Sequence, residues 1–455
     1  MLNFLIDLIE TPAIILGIVA LVGLVLQKKK ASEVFSGTMK TSLGMIVLSA
    51  GSGIIVSEIS PFVSLFTEVF HLSGFATSSE AVVGAMQSSV AIIASTSALI
   101  LALGFLINII IARLTPLKYI FLTGHMMWIL SVTLAFSLYV SGFSTMQIIV
   151  IGSLLQGVLM TILPAIAQPT VRKVTGNNSI AIGHLTTLGT VSSAYIGGLV
   201  GDKSKSAEDV KLPESLEFFK DTSMSVLIVM TIFYLIVVLA AGPEKVAVFS
   251  KETNYVVFGI LKAMGFTGGV LILLYGVRMF LGELVPAFKG ISDKLVPGAI
   301  PALDVPVLFG FAPNSLMIGF IFAVLGMIIA MFVSSAVLGV VPLVSIIGAF
   351  FTGGVAGIMG NARGGRRGAI VSGFVYGFLL IFGSGFTYTL FDFAKYGAAG
   401  VGHDCIDAMV ILMALKNPYI GIAIIAAVFG LLCWKEVKYK KGESKALNGK
   451  ASING

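Results

Sequence analysis

The chain has 455 residues, of which 57% are hydrophobic and 11% are charged, and its formal net charge is +7. Soluble globular domains carry about 25% charged residues, so this composition excludes an ordinary soluble protein and indicates a chain embedded in lipid. The apolar runs are roughly 17–25 residues long, which favours spanning helices over a β-barrel, whose strands would be short and alternating. The sequence therefore predicts an all-α polytopic membrane protein.

About eleven membrane spans are predicted along the chain. The first, near residues 12–27, has no basic segment before it and no small-residue cleavage site after it, so we interpret it as a retained span. The others lie near 41–57, 88–112, 119–141, 147–170, 223–241, 255–277, 315–335, 337–356, 369–390 and 418–434.

The basic residues are distributed unevenly between the two sides of this arrangement. Most of the 29 Lys and Arg residues fall in alternate loops and in the C-terminal tail. Cytoplasmic loops of membrane proteins are enriched in Lys and Arg, so the distribution predicts an outside N-terminus and a cytoplasmic C-terminus. The positive net charge is thereby explained without nucleic-acid binding.

The two halves of the sequence contain the same motif. Gly, Glu and Pro occur with the same spacing in both halves, 225 residues apart: Gly51, Glu58 and Pro61, then Gly276, Glu283 and Pro286. Five spans per copy would thread the second copy in the opposite direction, which predicts the inverted repeat found in many transporters. We expect a first repeat at 1–200, a cytoplasmic linker at 201–222, a second repeat at 223–417, and a last span with a basic tail at 418–455.

Two apolar segments are too short and too rich in small or polar residues for confident spans. Residues 185–200 are interpreted as a re-entrant hairpin, and residues 404–415 as its counterpart in the second half. Irregular backbone at membrane depth is tolerated only against protein or a water-filled cavity. The alternative interpretation is a surface loop with apolar side chains.

Three histidines follow a glycine: His125, His184 and His403. Ionisable groups at membrane depth are costly and usually functional, which favours binding roles for His125 and His184. The alternative is a histidine that bonds a backbone carbonyl between packed helices, and for His403 the two interpretations stand level.

Four acidic residues are also candidates. Glu80 and Asp304 end loops that lead back into apolar sequence, where they can accept hydrogen bonds from substrate hydroxyls or cap helix N-termini. Glu58 and Glu283 are interpreted as structural groups at proline-broken helices, with Arg278 available to neutralise Glu283. The sequence contains no P-loop, metal-binding motif or nucleophile elbow. Neither catalytic residues nor a metal or cofactor are therefore predicted.

Several segments, in one order along nearly the whole chain, resemble the ascorbate-type IIC permease family of the bacterial sugar phosphotransferase system. These are AGSGI at 50–54, KYIFLTGH at 118–125, AIGH at 181–184, EDVKLPESLEFFKD at 208–221, GVRMFLGEL at 276–284, LVPGAIPALD at 295–304 and FAPNS at 311–315. The resemblance implies a homodimer in the bacterial inner membrane that moves its substrate by an elevator-like movement. It also implies delivery of L-ascorbate or a related sugar to a separate IIB protein, which is phosphorylated by IIA.

The same resemblance implies a set of substrate-binding positions: Ser79, Glu80, His125, Ile129, His184, Leu185 and Asp304. The family carries glutamines at the positions of Ile129 and Leu185, and Thr-Tyr in place of Ser79 and Glu80. Ascorbate is the leading expectation, while another sugar acid, a neutral sugar or a polyol stays open. The competing function is an ion-coupled secondary transporter of a small polar solute, with Glu80 or Asp304 binding the ion.

Overall fold

The structure is a computed structural model that describes residues 12–69, 91–209, 222–391 and 418–451. Most of the described residues are helical. The longer helices are α1 (Pro12–Leu26), α2 (Ala31–Val69), α3 (Ala91–Leu114), α4 (Gly124–Val140), α5 (Thr145–Thr175), α6 (Thr187–Val200), α7 (Thr222–Ser250), α8 (Tyr255–Lys294), α9 (Pro313–Leu338), α10 (Gly354–Phe391) and α11 (Pro418–Ala451). Three short strands complete the fold: β1 (Tyr119–Phe121), β2 (Ala181–Ile182) and β3 (Ile300–Leu303).

Six helical segments of the described chain are long and apolar enough to cross a membrane. They are Ser95–Leu114, Thr145–Thr175, Val226–Ser250, Tyr255–Leu273, Pro313–Leu338 and Ala349–Leu390. Shorter apolar helices include Gly124–Val140 and Thr187–Val200. The last long segment is interrupted, since Gly364 and Gly365 leave the helical conformation within α10. The prediction of a helical protein with several apolar helices long enough to span a membrane is confirmed.

Helices α2 and α8 pack against each other in antiparallel orientation. Gly51 near the middle of α2 lies against the backbone of Gly269 and Leu273 in α8, with no room for a side chain. Towards one end Glu58 Oε2 lies 2.9 Å from Lys262 Nζ, and towards the other Lys40 Nζ lies 3.1 Å from Glu283 Oε1. Small residues allow this close backbone approach, as is usual for helix pairs in lipid. We call this contact the α2–α8 seam.

The strands form a three-stranded parallel sheet in the order β1-β3-β2, which the all-α prediction did not include. Phe121 and Ala181 both pair with Ala302, so the first half of the chain supplies the outer strands and the second half supplies the central one. All the strand residues are buried. The sheet therefore lies inside the helical protein.

Both outer edges of the sheet are closed by amide side chains. On β1, Asn108 Nδ2 donates to the Tyr119 carbonyl at 3.1 Å, and Asn108 Oδ1 accepts from the Phe121 N–H at 3.0 Å. Beside β2, Gln168 Nε2 donates to the Ile180 carbonyl at 3.0 Å. Unpaired strand edges are costly away from water, so these two side chains make a small internal sheet possible.

The structure corrects the hairpin predicted at residues 185–200. This stretch is not a hairpin by itself, because Thr187–Val200 forms a single helix, α6. Residues 184–186 connect the extended segment that contains β2 to α6. The proposed counterpart at 404–415 lies outside the described residues.

Candidate functional site

The carboxyl ends of the three strands bring candidate residues from distant parts of the sequence to one edge. The strand register places Thr123, Asp304 and Gly183 level with one another, directly after β1, β3 and β2. His125 and His184 follow within two residues. A side chain at Gly183 would approach the Ala302 carbonyl and the Phe121 ring to 3.0 Å, so the glycine before His184 keeps this edge compact.

Asp304 lies between the two histidines. Its Oδ2 atom is 3.7 Å from Nε2 of His125, and its Oδ1 atom is 3.8 Å from Nε2 of His184. These distances exceed direct hydrogen bonds, which leaves each nitrogen–oxygen pair able to share a hydroxyl group or a water molecule. Oδ1 also accepts the Val305 N–H at 2.7 Å, so Asp304 caps the following 3₁₀ helix, Val305–Phe311. The capping role predicted as an alternative thus occurs together with placement in the cluster.

The orientation of His184 is fixed by Thr186. The Thr186 backbone N–H donates to His184 Nδ1 at 3.2 Å, and the Thr186 hydroxyl lies 2.8 Å from the same atom. A backbone N–H can only donate, so Nδ1 is the acceptor and the neutral ring carries its proton on Nε2. His184 therefore presents an N–H donor towards Asp304.

The three side chains differ in exposure. The His125 side chain is 36% exposed, that of Asp304 17%, and that of His184 4%. His125 thus lies at the opening of the cluster and His184 at its base. A small polar solute that enters past His125 would meet the carboxylate before it reaches His184.

Thr123 is a further polar residue beside the cluster that was not among the sequence candidates. Its hydroxyl is buried and makes no hydrogen bond to any described residue, although it stands at the N-cap position of α4. A buried hydroxyl without a partner normally has a structural or ligand-related explanation. The signal was present in the sequence LTGH, where Thr123 precedes the Gly-His pair.

Two helices begin at this edge of the sheet. Helix α4 starts at Gly124, and α6 starts at Thr187, both directly after the strands. The first turns of helices carry N–H groups without helical acceptors and the positive end of the helix dipole, which favour an anionic or hydroxyl-rich ligand. The Asp304 carboxylate lies at the same edge as the positive N-terminal ends of these two helices.

Ile129 and Leu185 contribute no polar atoms to the site. Both are completely buried, and they belong to the same hydrophobic cluster around α4. The polar side chains of the cluster among the described residues are therefore His125, His184 and Asp304, with the buried Thr123 beside them.

The other sequence candidates lie elsewhere. Ser79, Glu80 and His403 fall outside the described residues. Glu58 and Glu283 lie in the α2–α8 seam, where Lys40, not Arg278, is the cation that contacts Glu283.

The geometry of the cluster is that of a hydrogen-bonding site. The described residues include no group of three or more His, Cys, Asp or Glu side chains placed to hold a metal ion. The two histidines and the aspartate instead face a shared space at distances suited to intervening hydroxyl groups.

Comparison with known proteins assigns the chain to a family. One relative, the ascorbate-specific PTS system EIIC component of Mycoplasma pneumoniae, is 28% identical over 433 residues, covering 83% of this chain. The chain spans about 65% of the length of that relative. Residues 7–405 match the model of the PTS system sugar-specific permease component. The chain belongs to this permease family.

Proposed function

We propose that the chain is the permease subunit of a phosphotransferase system for L-ascorbate or a closely related sugar acid. The observation that carries this proposal is the Asp304 carboxylate held between His125 and His184 at the carboxyl edge of the sheet. The ascorbate-specific relative supports the same substrate class. Phosphoryl transfer is assigned to a separate IIB protein, so the chain itself is a transporter component and not an enzyme.

The chemistry of the cluster suits an anionic, polyhydroxylated ring. Asp304 accepts hydrogen bonds from hydroxyl groups, His184 donates through Nε2, and the N-termini of α4 and α6 favour negative charge. Ascorbate is a monoanion at neutral pH and carries several hydroxyl groups. Ser79 and Glu80 stay in the proposed site on sequence grounds.

The buried Ile129 and Leu185 limit how many hydroxyl groups of a ligand the site can recognise. They leave no amide groups on that wall of the pocket, so fewer hydroxyl groups can be recognised there than in a site with glutamines. The proposed substrates therefore include sugar acids related to ascorbate beside ascorbate itself, and both belong in the substrate test.

The proposed architecture is an inverted repeat, with the divisions 1–200, 201–222, 223–417 and 418–455. Two helix pairs support it. Moving α2 by 225 residues gives 256–294, and α8 spans 255–294. The same shift of α3 gives 316–339, and α9 spans 313–338. The full proposal of eleven spans, with a dimer that carries substrate by an elevator-like movement, builds on this repeat.

The ion pairs of the α2–α8 seam support a spanning position for both helices. Lys40 and Glu58 are eighteen residues apart in α2, or about 27 Å of helix. The hydrocarbon core of a bilayer is about 30 Å thick, so one ion pair would lie near each surface. With the positive-inside distribution, Lys40 faces the cytoplasm, the N-terminus is outside, and the protein is a bacterial inner-membrane protein.

The start of the predicted linker offers a defined surface for the IIB partner. Glu208 accepts the N–H groups of Asn314 at 3.1 Å and Ser315 at 2.8 Å, and so caps α9. Asn361 Oδ1 accepts the Ala207 N–H at 2.9 Å. These contacts tie residues 201–209 to the helices on the side where IIB, charged by IIA, would receive the sugar.

Uptake of radiolabelled ascorbate in bacteria that lack their own ascorbate permease tests the proposal. Cells that express this chain with its IIA and IIB proteins should accumulate phosphorylated substrate, and cells without IIB should accumulate none. Accumulation of unmodified substrate that collapses with an ionophore would instead support the ion-coupled transporter. Related sugar acids, a neutral sugar and a polyol, added as competitors, would define the specificity.

A further inference from the structure

Two cavities lie along a single seam between α5 and α11. The apolar cavity has a volume of about 390 Å³ and is lined by Ile151, Leu154, Leu155, Val158, Ile425, Ala426 and Phe429. The polar cavity, of about 780 Å³, continues on the same faces of both helices and includes Arg172, Tyr195, Lys435, Glu436 and Tyr439. On α5 the lining residues recur every one to four positions from 151 to 158 and again from 165 to 172. The seven-residue step between the two sets is about two helical turns, so both sets lie on the same face of the helix.

The part of the seam between Val158 and Arg172 has the length of one leaflet of a bilayer. Val158 in the apolar cavity and Arg172 in the polar cavity are fourteen residues apart in α5, or about 21 Å. Half of a bilayer, including its headgroup region, is about 20–22 Å thick. A phospholipid whose headgroup lies at Arg172 would therefore reach Val158 with its acyl chain.

The polar end of the seam carries an excess of positive charge. Arg172 is paired with Glu436 at 3.3 Å and lies 3.9 Å from the centre of the Tyr439 ring. The Lys435 ammonium forms no ion pair with any described residue. Behind Tyr195, the buried Arg363 stacks on the ring at 3.5 Å and donates to Thr170 Oγ1 at 2.6 and 2.9 Å.

Two further observations favour an anion over a neutral headgroup. Lys173 lies within electrostatic range of Arg363 and Lys203, so like charges are gathered at this end of α5. Glu436 is the one acidic group in the lining, and its charge is matched by Arg172.

We propose that the α5–α11 seam binds an anionic phospholipid of the cytoplasmic leaflet. Its phosphate is recognised by Lys435 and the Arg172–Tyr439 face, and one acyl chain fills the apolar cavity beside Ala426. Basic pockets between membrane helices on the cytoplasmic side are suited to anionic headgroups. The assignment of the leaflet rests on the proposed topology, whereas lipid binding does not depend on the substrate.

The proposed lipid site is connected to the candidate site through the packing of α11. Phe429, Leu432 and Cys433 of α11 pack against the cluster that contains Tyr119 of β1 and Ala302 of β3. An occupied seam would hold α11 against the underside of the sheet, whose carboxyl edge carries Asp304. Lipid binding is therefore expected to stabilise the folded sheet.

Thermal unfolding of the purified full-length protein in detergent tests the proposal. Dioleoylphosphatidylglycerol at about 100 times its dissociation constant should raise Tm by about 3 °C, and dioleoylphosphatidylcholine should raise it by much less. Lys435→Gln and Ala426→Trp should each remove at least half of this shift. Their matched controls, Lys438→Gln and Ala427→Trp, change the same helix outside the lining and should keep it.

Several outcomes would overturn the proposal. Equal shifts with both lipids would exclude recognition of the headgroup charge. An equal shift with inorganic phosphate or glycerol phosphate would indicate a site for free anions. Full retention of the Tm shift in both Lys435→Gln and Ala426→Trp would place the lipid elsewhere. If Ala426→Trp changed the oligomeric state and left the number of lipids retained in native mass spectrometry unchanged, a second copy of the chain would be the occupant.

Discussion

The α2–α8 seam and the carboxyl edge of the sheet use the two halves of the chain differently. In the seam, equivalent positions make equivalent contacts: Glu58 contacts Lys262 of the other half, and Glu283 contacts Lys40. Gly265 lies against Glu58 and Gly37 lies against Glu283. Because Gly37 and Lys262, like Lys40 and Gly265, are 225 residues apart, each glutamate meets one lysine and one glycine.

The sheet edge shows no such equivalence. Both histidines come from the first half and the carboxylate comes from the second, and the three groups converge on one space. Repetition provides a scaffold in which each half makes the same contact, whereas recognition of an asymmetric ligand requires different groups on its different sides. The comparison predicts that carboxylates in the two regions respond very differently to the same substitution.

The largest effect is expected for Asp304→Asn. The change removes the only carboxylate among the described groups of the cluster and leaves its shape, so uptake should fall by about 100-fold or more, as expected for the loss of charged hydrogen bonds to a ligand. Glu283→Gln is the matched control in the seam and should keep most of the uptake. Similar losses in both variants would show that the two regions do not differ in function.

His125→Ala is expected to have the next largest effect. It removes the ring at the opening of the cluster, and substrate affinity should fall by roughly 10–100-fold, equivalent to about 1.4–2.8 kcal/mol. His125→Gln, which can still donate a hydrogen bond, should recover part of the loss. Unchanged uptake and binding in His125→Ala would place the substrate elsewhere.

A smaller effect is expected for Thr186→Val. Loss of the hydroxyl removes one of the two Thr186 contacts to His184 Nδ1 and keeps the backbone N–H, so the ring orientation is less well fixed and affinity should fall by about 3- to 10-fold. Thr190→Val removes a buried hydroxyl that bonds backbone carbonyls one turn further along α6. Substrate titrations of both variants would separate these roles, and equal affinities would contradict the orienting role.

The smallest effect is expected for the ion pairs of the α2–α8 seam. Lys262 and Glu58 are about a quarter exposed, so Glu58→Gln should lower stability by about 0.2–1 kcal/mol. Reversal of the pair, with Glu58→Lys and Lys262→Glu together, should restore most of this loss, and the Lys40–Glu283 pair should behave alike. Thermal unfolding of the single and double variants gives the coupling energy. A coupling energy at one of the two ion pairs and none at the other would contradict the equivalence of the two contacts.

The predictable parts of the fold follow from local patterns. Long apolar runs identified α5, α7 and α9 because helices in lipid need continuous apolar sequence. The start of α2 at Ala31, ten residues before the predicted span, was missed because that first part is polar and carries Lys40 and Glu33. Apolarity marks the part of a helix that lies in lipid and does not mark where the helix begins.

The sequence predicted three residues of the site but not the sheet that aligns them. Gly-His pairs and an acidic loop end pointed to His125, His184 and Asp304 through the cost of polar groups in lipid. The sheet that aligns them consists of strands of two to four apolar residues, which show no alternation in an apolar sequence. Their partners are separated by more than a hundred residues, so local patterns contain no information on the pairing.

The central position of β3 has a consequence for the order in which the protein is made. The outer strands are complete by residue 182, yet they cannot pair until Ile300–Leu303 has been synthesised and placed between them. Throughout that interval the emerging chain has both histidines of the cluster and lacks Asp304. The cluster thus cannot form until about two thirds of the chain has been made, and a chain truncated before residue 300 would be unable to bind substrate however well its first helices insert.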